Sequence, residues 1–171
     1  MNETLIWAEV DLNAIANNVR ELRRVTDANA RLMVAVKANA YGHGAVTVAQ
    51  HALANGADTL GVARLMEGVR LREAGIAAPI LVFGYTPAAS AGELMRWDLT
   101  QTIYDLANAT ALSEKGRQAG KKIKGHVKLD SGMGRLGMLL DRGLGGSEGM
   151  PTDDDTLNDL TAIAGLPGLE M

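Results

Sequence analysis

Val34-Ala35-Val36-Lys37-Ala38-Asn39-Ala40-Tyr41-Gly42-His43-Gly44 is the stretch on which the fold of this chain turns. A short β-branched run ends in a lysine. A tyrosine and two glycines follow, and a new apolar period then begins. The pattern predicts a strand, an amine at its end, and a tight turn into a helix. A strand-end lysine ordinarily sends its head to solvent. Here the unbroken apolar run before it predicts a buried stem, and such an amine is placed to attack a carbonyl.

Working outward, the same grammar repeats. Ile6 to Val10 alternates weakly and predicts a short strand. Asp11 suits an N-cap, and Leu12, Ile15, Ala16, Val19 and Leu22 share one helical face. Arg31 to Val36 is an apolar run of strand length. After the turn, Ala45, Val48, Ala49, Ala52 and Leu53 form a second helical stripe, ended by Asn55-Gly56. Thr59 to Val62 reads as a strand, and Leu65, Met66 and Val69 belong to a helix stopped by Gly75. Pro79 to Phe83 is a strand, and Pro87 opens a helix towards Arg96. Leu99 to Tyr104 is a strand, and Leu106 to Ala119 a helix ended by Gly120. Ile123 to Leu129 is a strand leading into Ser131-Gly132-Met133-Gly134-Arg135-Leu136-Gly137. A glycine-rich loop follows from Arg142 to Pro151. Thr152 then caps a last helix with Leu157, Leu160, Thr161 and Ala164 on one face, and a further strand starts at Gly168 to Met171.

Strand–helix units at roughly 20–30 residue spacing predict a parallel sheet with right-handed crossovers, buried on both faces. No Gly-x-Gly-x-x-Gly follows the first strand, which weakens an open dinucleotide-binding sheet. The alternative is a (β/α)8 TIM-type barrel, of which about five of the eight units are present. The expected fold class is therefore α/β, a partial barrel. Its first and last strands would expose a long parallel edge. Residues 1–171 accordingly read as one incomplete barrel domain without an internal linker, part of a longer protein or of an assembly that closes the gap.

Composition limits the function classes. The chain has 171 residues, 47% apolar and 22% charged, normal for a globular protein. Its net charge of −3, with no Lys/Arg stripe, argues against a nucleic-acid partner. The absence of cysteine excludes thiolate metal sites and cysteine nucleophiles. No uncharged stretch approaches the ~18 residues of a membrane span, and no signal-peptide pattern is seen. The expectation is a cytoplasmic protein with no membrane and no metal.

Two groups of residues could carry chemistry. Lys37 leads the first. The Tyr41 hydroxyl, beside Gly42 and Gly44 at a helix start, could meet an anion such as phosphate, or could simply be a turn aromatic. His43 reads as a helix-start residue. The second group is Lys128-Leu129-Asp130-Ser131-Gly132-Met133-Gly134-Arg135, also after a strand. Lys128 and Arg135 would repel if close and bare, so an anion should lie between them. Asp130, a substrate carboxylate, or a carbamate formed when a lysine amine adds carbon dioxide would each serve. A glycine-rich turn with ordinary surface charges is the plainer reading. His51 and His126 form no metal-spaced cluster. Trp7, Trp97 and the methionines read as packing, and Asp153-Asp154-Asp155 as a solvated helix start.

Taken together, the stretches Val36 to Gly44 and Lys128 to Gly137 resemble the two signatures of the alanine racemases, over about Trp7 to Met138 and again towards Met171. The resemblance implies a pyridoxal 5'-phosphate enzyme with a (β/α)8 barrel, a second, mainly β domain absent from these residues, and a homodimer. It implies racemisation of L- and D-alanine, supplying D-alanine for peptidoglycan. It implies Lys37 as Schiff-base lysine and base on one face of the substrate, and Tyr41 as a phosphate contact. It implies Lys128 as a carbamylated lysine, and Arg135 as a contact to the cofactor's phenolic oxygen and the substrate carboxylate. The chain is under half the family's usual length and lacks the residues expected for the opposite face, so these residues alone are expected not to racemise alanine. The other readings are a non-catalytic cofactor-binding barrel and an inactive folded fragment.

Overall fold

The computed structural model describes residues 6–139 and 153–171. They fall in two compact units, Met1–Ile80 and Leu81–Met171, and the boundary lies inside a strand rather than a linker.

In the first unit, α1 (Leu12–Val25) begins where Asp11 accepts the amides of Asn13 and Ala14. This N-cap satisfies donors that the first turn leaves free. The helix buries Ala16 and Val19, and Val19 packs with Ala52, Ala57, Leu32, Val34 and Leu53. Then come β1 (Met33–Ala35), a five-residue segment α2 (Lys37–Tyr41), α3 (Ala45–Ala54), β2 (Thr59–Val62) and α4 (Leu65–Glu73). Strands β1 and β2 pair in parallel, with Val34 opposite Leu60 and Ala35 opposite Gly61. The connection from α1 is pinned by Arg23, which ion-pairs with Asp58 at 3.1 Å and donates to the Ala30 carbonyl. Leu60 and Leu71 are among the fully buried side chains, each worth about 1.5–3 kcal/mol of burial.

In the second unit, β3 (Ile80–Val82) is followed by a short 3₁₀ turn (Ala88–Ser90), α5 (Ala91–Arg96), β4 (Thr100–Ile103), α6 (Leu106–Ala119) and β5 (Ile123–Val127). A small pair β6 (Leu129–Asp130) and β7 (Met138–Leu139) comes next, then α7 (Asp153–Ala164) and β8 (Leu169–Glu170). Strand β3 pairs with β4, β4 with β5, and β5 with β8, all in parallel. Helix α6 starts at Asp105, which accepts the Asn108 amide, and ends at left-handed Gly120. It lies so close to β8 that a Cβ on Gly168 would sit 1.9 Å from the Ser113 carbonyl oxygen. Ser113 uses its hydroxyl to accept the Gly168 amide at 3.0 Å.

Four expectations fail. Ile6 to Val10 is not a strand: no segment pairs with it among the described residues, and Ile6 and Trp7 are 86% and 76% exposed. Trp7, Met66 and Met133 are therefore not packing residues, whereas Met171, though partly exposed, lays its sulfur against Gly125, 2.8 Å from where a Cβ there would sit. Strand β2 is buried throughout, but Met33 and Ala35 on β1 are exposed, so two-faced burial does not hold for every strand. Helix α7 buries Thr156 and Ile163, seven residues apart, and leaves Leu157 exposed. Hydrophobicity alone misplaced that face, because the Thr156 hydroxyl donates to the Leu139 carbonyl and draws its side inward. The glycine-rich loop and the Thr152 cap lie outside the described residues.

Candidate active site

The chain leaves β1 through Val36, whose amide donates to the Gly61 carbonyl and whose side chain is buried. Lys37 follows, half-buried, at the strand's C-terminal end. Ala38, Asn39, Ala40 and Tyr41 then all have positive φ, from 49° to 56°. This is a left-handed helical turn built from four consecutive non-glycine residues. L-residues lose roughly 1–2 kcal/mol each in that conformation, because Cβ crowds the following carbonyl. The turn therefore stores about 4–8 kcal/mol that its surroundings must offset. Alanines at 38 and 40 present the smallest Cβ a chiral residue has.

Several contacts hold the turn. Ala40 donates its amide to Val36, and its side chain is buried. The Asn39 side chain accepts the Ala45 amide at 2.9 Å and so caps α3 from six residues upstream. Glu67 does most. One carboxylate oxygen accepts the Ala38 amide at 2.7 Å, and the other accepts Ala63 and Arg64 at 2.7 and 3.0 Å. The outcome at the amine is specific. Lys37 Nζ lies 5.9 Å from the centroid of the Tyr41 ring, within cation–π reach. None of the ion pairs among the described residues involves Lys37. At Gly42 and Gly44 the space a Cβ would occupy has nothing within 4 Å, so the backbone there is open to a ligand. His43 points its Nδ1 at the Ala40 carbonyl and lies in the turn just before Gly44, the N-cap of α3.

The second group lies in the other unit. Lys128 directly follows β5; its amide donates to Ile103 and its carbonyl accepts from Met138. Asp130 organises the loop between β6 and β7. Its Oδ1 accepts the amides of Gly132 and Met133, and its Oδ2 accepts that of Arg135 at 2.9 Å. Gly132 and Gly134 hold the Asp130 carboxyl below the usual aspartate range, with further help from Arg135 and Met133. Gly137 is required here: a Cβ would lie 2.5 Å from the Asp130 nitrogen. Among the described residues Asp130 makes no ion pair with Lys128 or Arg135, and its oxygens accept backbone amides instead. Among the described residues the exposed Arg135 guanidinium donates to the Met133 sulfur, a weak acceptor, and neither Arg135 nor Lys128 has a carboxylate partner. Nearby on the same unit, Tyr104 follows β4; burial first, then Asp105 and Tyr85, push its phenol up.

Residues 10–144 match the family described as "Alanine racemase, N-terminal domain". The chain belongs to the alanine racemase family. It is 49% identical over 134 residues to an alanine racemase of Methanococcus maripaludis, covering 78% of this chain and 36% of that relative. It is 42% identical over 166 residues to one of Clostridium perfringens, covering 97% of this chain and 40% of the relative. A solved alanine racemase of Bacillus anthracis with bound L-Ala-P superposes with a TM-score of 0.81 at 35% identity, over 96% of this chain and 39% of that one. The chain thus spans about two fifths of the length of the alanine racemases it matches. The α/β class and the partial (β/α)8 barrel read from the sequence stand. Among the described residues, no helix is long and apolar enough to cross a membrane, and no group of metal-ligating side chains is found.

Sequence reasoning missed Glu67 and the capping role of Asn39. A signal for Glu67 existed: it is the third residue of a helix that follows a strand, where a glutamate reaches back to free amides.

Proposed function

We propose that this chain carries the cofactor lysine and one acid–base group of an alanine racemase that interconverts L- and D-alanine with pyridoxal 5'-phosphate. The observation that supports this most is the left-handed turn after β1, which presents an amine with no carboxylate partner among the described residues, beside a tyrosine and an open backbone. Bound there, pyridoxal phosphate would withdraw electrons from the substrate α-carbon. Lys37 would hold it, and its amine would move the α-proton on one face. The Tyr41 hydroxyl and the open Gly42 and Gly44 backbone suit its phosphate. Arg135 would hold the substrate carboxylate and the cofactor's phenolic oxygen. The Lys128 nitrogen adds to carbon dioxide and loses a proton, and the resulting carbamate supplies the anion that Arg135 lacks.

Residues 1–171 belong on this reading to the barrel domain of a cytoplasmic homodimer supplying D-alanine for peptidoglycan. Racemisation needs a proton donor on each face, and Lys37 serves one, so no appreciable racemisation is expected from these residues alone. A non-catalytic cofactor-binding barrel would have no use for an anion-oriented Arg135. The test is to add pyridoxal phosphate, reduce with borohydride and map the labelled peptide. Label on Lys37, lost in Lys37→Ala, supports the proposal; a label that survives that substitution removes Lys37 from its role.

A further inference from the structure

The contacts of Glu67 carry one step more, resting on the role proposed for Lys37. Glu67 is half-buried at the third position of α4, where a glutamate normally does no more than satisfy free amides of its own helix start. Here one oxygen does that, accepting Ala63 and Arg64 at the end of β2. The other oxygen leaves its helix and accepts Ala38, the first left-handed residue after Lys37, 29 positions earlier in the chain. A carboxylate has acceptor sites on both oxygens; an amide side chain has one oxygen. Both jobs therefore need the charged acid. The Ala38 amide is the point where the backbone turns from the strand into the wrong-handed helix. Fixing it fixes the direction in which the Cα–Cβ bond of Lys37 leaves the chain.

We propose that Glu67 is the positioning residue of the Lys37 amine, its carboxylate tying the left-handed turn to the C-terminal end of β2. Glu67→Gln preserves shape but keeps only one side of the bridge. A reacting group displaced by about 1 Å loses on the order of a hundredfold in rate. Borohydride trapping of pyridoxal phosphate on Lys37 should therefore slow at least about tenfold in Glu67→Gln. Far-ultraviolet circular dichroism should be unchanged. Amide exchange separates this role from general stability. In the unaltered protein the Ala38 amide should be protected although its residue is exposed. In Glu67→Gln that protection should vanish, while the Val36 amide, bonded to Gly61, stays slow. Adding Ala38→Gly, which removes the Cβ crowding at that position, should recover part of the trapping rate.

Trapping in Glu67→Gln within twofold of the unaltered protein overturns the inference. So does free exchange of Ala38 in the unaltered protein, a reading that decides the matter even if Glu67→Gln does not fold. If the unaltered protein traps no cofactor on Lys37, the proposed function fails instead, and Ala38 protection still reports on the bridge.

Discussion

Lys37 and Tyr41 meet across a turn of the uncommon hand, with the ammonium 5.9 Å from the ring centroid. The ring and the hydroxyl then have separable tasks. Tyr41→Phe keeps the ring under the amine and deletes the hydroxyl proposed to meet the phosphate. Losing a hydrogen bond to a charged group costs about 1.5–3 kcal/mol, so pyridoxal phosphate affinity should fall about tenfold to a hundredfold while Lys37 is still labelled. Titration of the cofactor absorbance checks this; unchanged affinity would free Tyr41 from the phosphate.

Asp130 gives the loop before Arg135 a definite pH response. Its carboxyl is depressed when folded, so the carboxylate is favoured by folding. The stabilisation is complete above the ordinary aspartate value of about 3.9. It is lost as pH falls through the lower folded value. Amide exchange of Gly132, Met133 and Arg135 should stay protected near pH 4 and open below it. In Asp130→Asn the protection should be weaker and should not titrate in that window.

The carbamate proposed on Lys128 would have a mass and a source. Carbon-13 bicarbonate should give a carbamate resonance in the protein that disappears in Lys128→Ala and on acidification. Its absence at saturating bicarbonate would leave Arg135 needing another anion.

Gly168 is a packing constraint rather than a functional one. A Cβ there would meet the Ser113 carbonyl oxygen at 1.9 Å, so Gly168→Ala must push β8 from α6. Thermal unfolding should show a loss of more than about 3 kcal/mol, at the severe end of single substitutions. Ser113→Ala, which removes only the hydroxyl bond to Gly168, should cost about 1 kcal/mol.

The elements that sequence made legible were those whose signals are local. Asp11, Gly75 and Gly120 marked helix ends correctly, because caps depend on residues within one turn. The alternation of strands and helices followed from apolar periodicity. The motifs are what singled out Lys37 and Arg135 as candidates. What stayed hidden depended on distant partners. The left-handed turn at 38–41 has its first amide held by Glu67, 29 positions away, and alanine carries no sign of a left-handed preference. The inward side of α7 is set by a hydroxyl reaching Leu139. Asp130 resembled a charge partner for Arg135, yet its oxygens went to backbone amides that no composition rule reveals.

The alanine at position 38 faces solvent in a conformation natural to its mirror image. A chain assembled by chemical ligation with D-alanine there would relax where the genetically encoded residue is strained, by roughly 1–2 kcal/mol. Its unfolding midpoint should rise and its reactive amine should depend less on the acid that braces it. Ribosomal synthesis supplies only the L form of alanine at that site, so the encoded side chain carries a strain that its mirror image would not.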